Sequence, residues 1–392
     1  MRKLASIQRI TAIRPIDGAD KIECVSVLGW ECVARKEEFH IGDLVVYIEV
    51  DSIMPVRPEF EFLRERKFRV RTIKLRKQIS QGICFPLSIL PSGKHKEGDD
   101  VTEIVGVTKY DPEAVKEALE EARQNSINKN RVDKFLKRYR WYRRYFTKSG
   151  KRGWPEFIKK TDEERIQNLP WICDKEQGTV FTATEKLDGQ SGTYALLRLP
   201  KRWWQLKHRY EFFVCSRNVH LRTEHPCSYW EIAIKHDIRR VLEKLISDQE
   251  FVVFQGEIIG EGIQGNKYGI KGRDFYAFNL VYPFGRMEPT SAMVDLSSWG
   301  IKTVPRLEEL KLPGTVKECV EIGKGKSTLA NIHREGIVLR NYERGLSFKI
   351  INPDFLLKYQ DEDQEWQETH FPRNEKTPCR NSSTINTEKD IA

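Results

Sequence analysis

Hydrophobic and polar positions alternate with period two through much of the first hundred residues. Leu44-Val45-Val46-Tyr47-Ile48-Glu49-Val50 and Phe68-Arg69-Val70-Arg71-Thr72-Ile73 are examples. Such runs, rich in β-branched side chains, fit a half-buried strand. Turn signals separate them: Asp17-Gly18, Gly42-Asp43, Pro91-Ser92-Gly93 and Gly98-Asp99. Several short strands at this spacing predict a small β-barrel over residues 1–108. The pattern then changes. Asp111 is placed to cap a helix with Pro112 at its first position, followed by strong helix formers. Arg131 to Arg152 holds ten Lys/Arg and one acid, interleaved with aromatics. Residues 109–160 are therefore expected to be a helical, basic connector. Between 161 and 360 strands and helices mix, as in an α+β domain. Ser228-Tyr229-Trp230-Glu231 has the form of a capping box and predicts a helix through about Ile246. Residues 361–392 read as a polar tail.

Composition narrows the class. The chain has 392 residues, 39% hydrophobic, enough for more than one core. It lacks an apolar run of about 18 residues, so no membrane span is expected. Met1 to Ile10 carries charges but no apolar h-region, so no secretory signal is expected. The eight cysteines form no C-x-x-C pair, which argues against a zinc ribbon and for a reducing, intracellular setting, cytoplasmic by default. A formal net charge of +10 favours a polyanionic partner.

The chemistry concentrates in Phe181-Thr182-Ala183-Thr184-Glu185-Lys186-Leu187-Asp188-Gly189. In an extended strand Thr182, Thr184, Lys186 and Asp188 share one face, with Phe181, Ala183 and Leu187 opposite. A lysine beside a carboxylate is a nucleophile, an ion pair or a solvated edge; the segment alone leaves all three open. Other segments add charged groups at the mouths of apolar strands. Glu257 sits in Phe251–Gly260, and a buried carboxylate there needs a partner. Glu335 precedes Gly336-Ile337-Val338-Leu339. Lys349 shares a face with Ser347, and Arg217-Asn218 follow Val214-Cys215-Ser216.

Taken in order, these elements resemble the covalent nucleotidyltransferase superfamily of polynucleotide ligases and mRNA capping enzymes. They are K-x-D-G at 186–189, S-R-N at 216–218, G-E-I-I-G at 256–260, Phe275-Tyr276-Ala277-Phe278, E-G-I-V at 335–338 and the lysine-bearing strand at 346–352. The resemblance implies an antiparallel-sheet nucleotidyltransferase domain with Lys186 as the nucleophile that takes AMP from ATP. It also implies that Glu185 lines the adenine pocket, that Phe278 stacks on the base, and that Arg217 and Asn218 bind the nucleotide or RNA end. Glu257 is similar to the acid that meets ribose or metal waters, Asp188 and Glu335 to carboxylates that orient a hydrated Mg²⁺ or Mn²⁺, and Lys349 to the cation on the α-phosphate.

Family members that act on DNA or on mRNA caps usually carry an OB barrel after the last motif. Here the residues after Lys349 are few and polar, and the barrel-sized region comes first. This order resembles the ATP-dependent RNA ligases with an N-terminal OB domain, as do 161–170 and Gly262–Gly269. One departure is Ser347, where some RNA ligases have a second lysine. The expected partner is RNA with 3′-OH and 5′-phosphate ends, at nicks in duplexes undergoing repair, and the expected state is a monomer. A GTP-using capping-type guanylyltransferase and a non-enzymatic RNA-binding protein remain as alternatives. The front barrel and connector are expected to grip polynucleotide and to leave the first chemical step to the second domain. Gly323-Lys324-Gly325-Lys326-Ser327-Thr328 imitates a P-loop, but Val320 stands where its first glycine belongs, so a plain loop is expected.

Overall fold

The structure, a computed structural model, describes residues 3–111, 151–201, 203, 207–221, 227–291 and 294–359. The predicted helix after Asp111, most of the basic connector and the tail at 361–392 lie outside the described residues.

The front region is a five-stranded antiparallel sheet in the order Trp30–Arg35, Ile22–Val27, Ala5–Pro15, Leu44–Ile48, Ile83–Pro86. Alternation gives it two packed faces. Val45 and Tyr47 join Val25, Val27 and Trp30 on one face. Val46 and Ile48 join Ile7, Phe60, Leu63 and Phe85 on the other. The sheet is the half-barrel of an OB fold. One expected strand is shorter than its pattern. Lys67 and Phe68 adopt left-handed backbone (φ 53° and 60°), so the run from Phe68 becomes regular strand only over Thr72–Leu75. That conformation is costly for residues with a Cβ and ends regular pairing.

Among the described residues the second domain contains two main sheets, antiparallel apart from one short parallel pairing of Lys302–Thr303 with Arg273–Tyr282. The smaller runs Arg306–Lys311, Val180–Lys186, Gly336–Asn341, Leu346–Ile351. In the larger, Gln190–Arg198 lies between Tyr210–Cys215 and Phe251–Gly260, and Arg273–Tyr282 follows. Two helices cover the larger sheet, and Ile232, Ile238 and Leu242 pack with Tyr194, Phe254 and Phe275. The sequence pattern predicts a single helix here. Asp237 turns left-handed (φ 44°) and splits the segment into Ser228–Lys235 and Ile238–Leu245. The capping box does not form either: the Ser228 hydroxyl donates to Gln190 Oε1 at 3.0 Å, and Cys227 occupies the cap position.

The two domains are held together by polar contacts. Trp30 Nε1 donates to Asn168 Oδ1 (2.6 Å), and Asn168 Nδ2 donates to Glu49 (2.7 Å). Asp51 accepts from Arg69 of its own domain and from Arg165 of the second, both at 2.9 Å. Gly29 donates its N–H to Gln167 O. A Cβ on Gly29 would stand 2.9 Å from Gln167 Cα and 2.8 Å from Val316, so this close approach requires glycine.

Candidate active site

Lys186 ends a strand of the smaller sheet and Gln190 begins one of the larger, so K-x-D-G is the crossover between them. Burial along Val180–Lys186 alternates. Phe181, Ala183 and Glu185 are buried, whereas Thr182, Thr184 and Lys186 face the other side. Leu187 is buried against Ile259, Tyr268, Tyr276 and Val304 and pins the crossover. The Asp188 N–H donates to Tyr268 Oη at 2.8 Å. Gly189 lies on the Glu257 strand: a Cβ there would meet Ile258 O at 2.5 Å and Glu257 Cγ at 2.8 Å. The motif glycine thus brings the lysine turn against the strand that carries the second acid.

A cavity of about 300 Å³ opens between the sheets. Its wall includes Glu185, Lys186, Asp188, Arg217, Glu257, Phe278, Glu335 and Lys349. Eight of the nine expected site residues therefore meet in one place. Asn218 is the exception: it is not in this wall, and its side-chain amide donates to Asp111 at 3.4 Å.

The charges in the cavity are paired. Lys186 Nζ donates to both oxygens of Glu335, each at 2.6 Å. Burial disfavours the ammonium, but Glu335 and then Glu257 outweigh it, and the Lys186 pKa is raised. Asp188 Oδ2 accepts from Lys267 Nζ at 2.7 Å, and Lys267 is 6% exposed. Lys349 lies 3.2 Å from Asp162. Among the described residues no three His, Cys, Asp or Glu side chains form a cage for a metal ion. Asp188, Glu257 and Glu335 still present hard oxygen ligands to one cavity. That suits an ion such as Mg²⁺, which keeps most of its waters and is held through them.

Phe278 is half-buried, with the Arg340 guanidinium 5.9 Å from its ring centroid. A flat aromatic at the wall of a cavity this size can stack on a base. The Glu185 carboxylate is held by Thr328, whose N–H and hydroxyl donate to Oε2 at 2.9 and 2.7 Å. The P-loop look-alike is thus a loop, entered from the helix Val316–Gly323, and its last residue anchors Glu185.

Sequence reasoning assigned no role to several residues of the wall. Asp162 and Arg165, and Lys267 that backs Asp188 from outside the wall, fall in segments that the family pattern singled out, so a signal existed. Asp51, Arg69, Lys109 and Tyr110 come from the front of the chain and also line the cavity. Only the docking of the domains reveals them. The guanidinium of Arg69 stacks 3.6 Å from the Tyr110 centroid, which stiffens this part of the wall.

Comparison with known proteins identifies both domains. An OB-fold domain pattern matches residues 4–87, and the RNA ligase pattern matches 179–359. A comparison with curated protein sequences returns no match. Among solved structures, Naegleria gruberi RNA ligase with PPi is 34% identical, with a TM-score of 0.72, covering 92% of this chain and 100% of that one. A lysine-to-alanine mutant of that ligase with ATP and Mn is 32% identical, with a TM-score of 0.73 and the same coverage. A lysine-to-methionine mutant with AMP and Mn gives 33%, 0.72 and again 92% and 100%. Matched over 92% of its length by solved RNA ligases at 32–34% identity, the chain belongs to the RNA ligase family, in the ATP-dependent branch that carries an N-terminal OB domain.

Proposed function

We propose that this ligase seals RNA through a lysyl-AMP intermediate on Lys186. The observation that carries the reading is Lys186 at the crossover between two sheets, in a cavity that also holds Glu335, Glu257, Phe278 and Lys349. In the first step Lys186 Nζ attacks the α-phosphorus of ATP, a P–N bond forms, and pyrophosphate leaves. AMP then passes to an RNA 5′-phosphate, and a 3′-OH attacks that phosphate and expels AMP. Phe278 stacks on adenine, and Glu185 borders the base. Lys349 and Arg217 meet phosphate oxygens, and Glu257 meets the ribose. A divalent ion, Mg²⁺ or Mn²⁺, when bound, neutralises phosphate charge and lowers the pKa of the amine; Asp188, Glu257 and Glu335 are the residues that would hold it, through its waters.

The resting pair explains the need for activation. An ammonium cannot attack phosphorus, and Glu335 keeps Lys186 protonated. Chemistry therefore waits for a change in the field around the amine, which couples the nucleophile to nucleotide loading. The rest of the barrier falls by alignment and charge neutralisation. We further propose that the RNA is a nicked duplex with 3′-OH and 5′-phosphate ends, that the role is repair, and that the enzyme acts as a monomer. Incubation with α-labelled ATP, γ-labelled ATP and α-labelled GTP, with Mg²⁺ or Mn²⁺, tests the first step. Covalent label is expected from α-labelled ATP only; label from GTP in its place would turn the reading toward a capping-type enzyme.

A further inference from the structure

Part of the cavity wall is cationic, and a carboxylate of the chain itself lies among those cations. Asp162 Oδ2 is 3.0 Å from Lys109 Nζ, and Oδ1 is 3.2 Å from Lys349 Nζ and 3.7 Å from Arg217. The three cations arrive from different places. Lys109 comes from the end of the front domain, Arg217 from the turn after Tyr210–Cys215, and Lys349 from Leu346–Ile351. All four residues line the cavity that holds Lys186. Asp162 is brought there by its backbone: the Lys349 N–H donates to Glu164 O at 2.8 Å, so the segment runs beside the lysine strand. Burial works against ionisation of Asp162, yet Lys349, Lys109 and Arg217 outweigh it and hold the carboxyl well below the usual range.

Two oxygens shared among three cationic groups are an arrangement that a polyphosphate would fill better. A phosphate offers three oxygens and more charge, and both Lys and Arg bind it well. We propose that Asp162 is an internal stand-in for nucleotide phosphate, which gives up Lys109, Arg217 and Lys349 when the triphosphate enters, reclaims Lys109 and Arg217 as pyrophosphate leaves, and recovers Lys349 once AMP has gone. This rests on the reading of the cavity as the ATP site. Asp162 touches no reacting atom; it competes for the groups that do. Its effect is to weaken the hold on ATP and, equally, on pyrophosphate, so that the leaving group does not stay and reverse the first step.

The test is Asp162→Asn, with Asp162→Glu as the variant that keeps the charge. In lysine adenylylation the KM for ATP should fall by about tenfold in Asp162→Asn, the scale of one charge-assisted hydrogen bond. With ATP held well below KM for each protein, the pyrophosphate concentration that halves labelling should fall by a similar factor. Asp162→Glu should stay close to wild type. An unchanged or raised KM with a lowered kcat would overturn the proposal and make Asp162 a positioning residue for Lys349. Calorimetric binding of pyrophosphate to the unlabelled proteins separates this from the wider reading. A wild type that never takes label refutes lysyl-AMP chemistry, while tighter pyrophosphate binding by Asp162→Asn still supports the stand-in. Should the variant not fold, carboxyl NMR on the wild type decides: the titration midpoint of Asp162 should rise when pyrophosphate is added, and an unmoved midpoint overturns the proposal.

Discussion

Lys186 Nζ sits 2.6 Å from both carboxylate oxygens of Glu335, so nucleophile and acid form one unit. Burial alone would push the amine toward neutrality, but the negative charge of Glu335 is the main influence opposing it and the pKa rises. Removing that charge should therefore lower the Lys186 pKa. In Glu335→Gln the pH midpoint for reaction of Lys186 with an amine-acylating reagent should move down. Sealing should still drop more than about tenfold, or about 1.4 kcal/mol, because a neutral amide no longer helps to hold a divalent ion. A midpoint equal to wild type would show that Glu335 does not control the amine.

Lys186 itself gives the sharpest outcome. Lys186→Ala should take no label from α-labelled ATP. Lys186→Arg should also fail, since a guanidinium does not deprotonate under working conditions. An acid-labile phosphoramidate adduct in wild type that vanishes in both variants is the expected pattern. Normal labelling of Lys186→Ala would place the nucleophile elsewhere.

Gly189 can be tested as a matter of space. A Cβ at this position would stand 2.5 Å from a backbone oxygen and 2.8 Å from Glu257 Cγ, closer than such atoms approach. Gly189→Ala should push the crossover off the Glu257 strand. We expect adenylylation to fall by about a hundredfold, the loss associated with misplacing a reacting group by about 1 Å. The melting temperature should fall only modestly, since the sheets on either side keep their own cores. Wild-type labelling would mean that the turn has slack the geometry does not show.

Local signals explain what the sequence disclosed. Period-two alternation carried Val180–Lys186 and Leu44–Ile48, because each strand buries one or both faces against side chains of predictable type. Eight of the nine expected residues line one cavity because the ordered motifs sit at strand mouths and crossovers. What escaped was set by distance along the chain or by backbone strain. The split at Asp237 and the left-handed pair Lys67-Phe68 have no glycine or proline to announce them. Lys267 against Asp188 and Lys109 against Asp162 join residues 79 and 53 positions apart. The basic run at 131–152 remains an expectation, since nearly all of it lies outside the described residues.

The domain boundary bears on one expectation. The sequence assigns the front barrel and the connector to gripping polynucleotide, yet Asp51 and Arg69 of the barrel, and Lys109 and Tyr110 just after it, help to wall the cavity of Lys186. Asp51 bonds Arg69 and Arg165, whose side chains are 11% and 6% exposed. Losing one partner of such a pair strands a buried charge, at a cost of about 3–5 kcal/mol. Asp51→Ala should therefore lower the melting temperature and also slow lysine adenylylation, before any RNA is present. Full-rate labelling in Asp51→Ala, or in a protein lacking residues 1–105, would uphold the view that the barrel serves RNA only.

The last prediction concerns the ends that are joined. A formal charge of +10 favours a polyanion but does not distinguish RNA from DNA, because both present the same phosphates. Discrimination needs contact with the 2′-OH, which only RNA offers. The attacking strand is where such contact affects rate most, since the ribose beside the 3′-OH must be aligned with the activated 5′-phosphate. The expected order in a panel of nicked duplexes is therefore fast sealing with ribose on the 3′-OH side and slow sealing with deoxyribose there. The sugar on the 5′-phosphate side should matter little. Ends bearing 3′-phosphate or 5′-OH should not be joined at all, because the former has no nucleophile and the latter no phosphate to receive AMP. Rates measured at two salt concentrations keep overall affinity apart from the 2′-OH effect: the first weakens with salt, whereas the ratio between ribose and deoxyribose nicks should hold. Equal sealing of an all-DNA nick would remove RNA specificity from the proposed function while leaving the lysyl-AMP step intact.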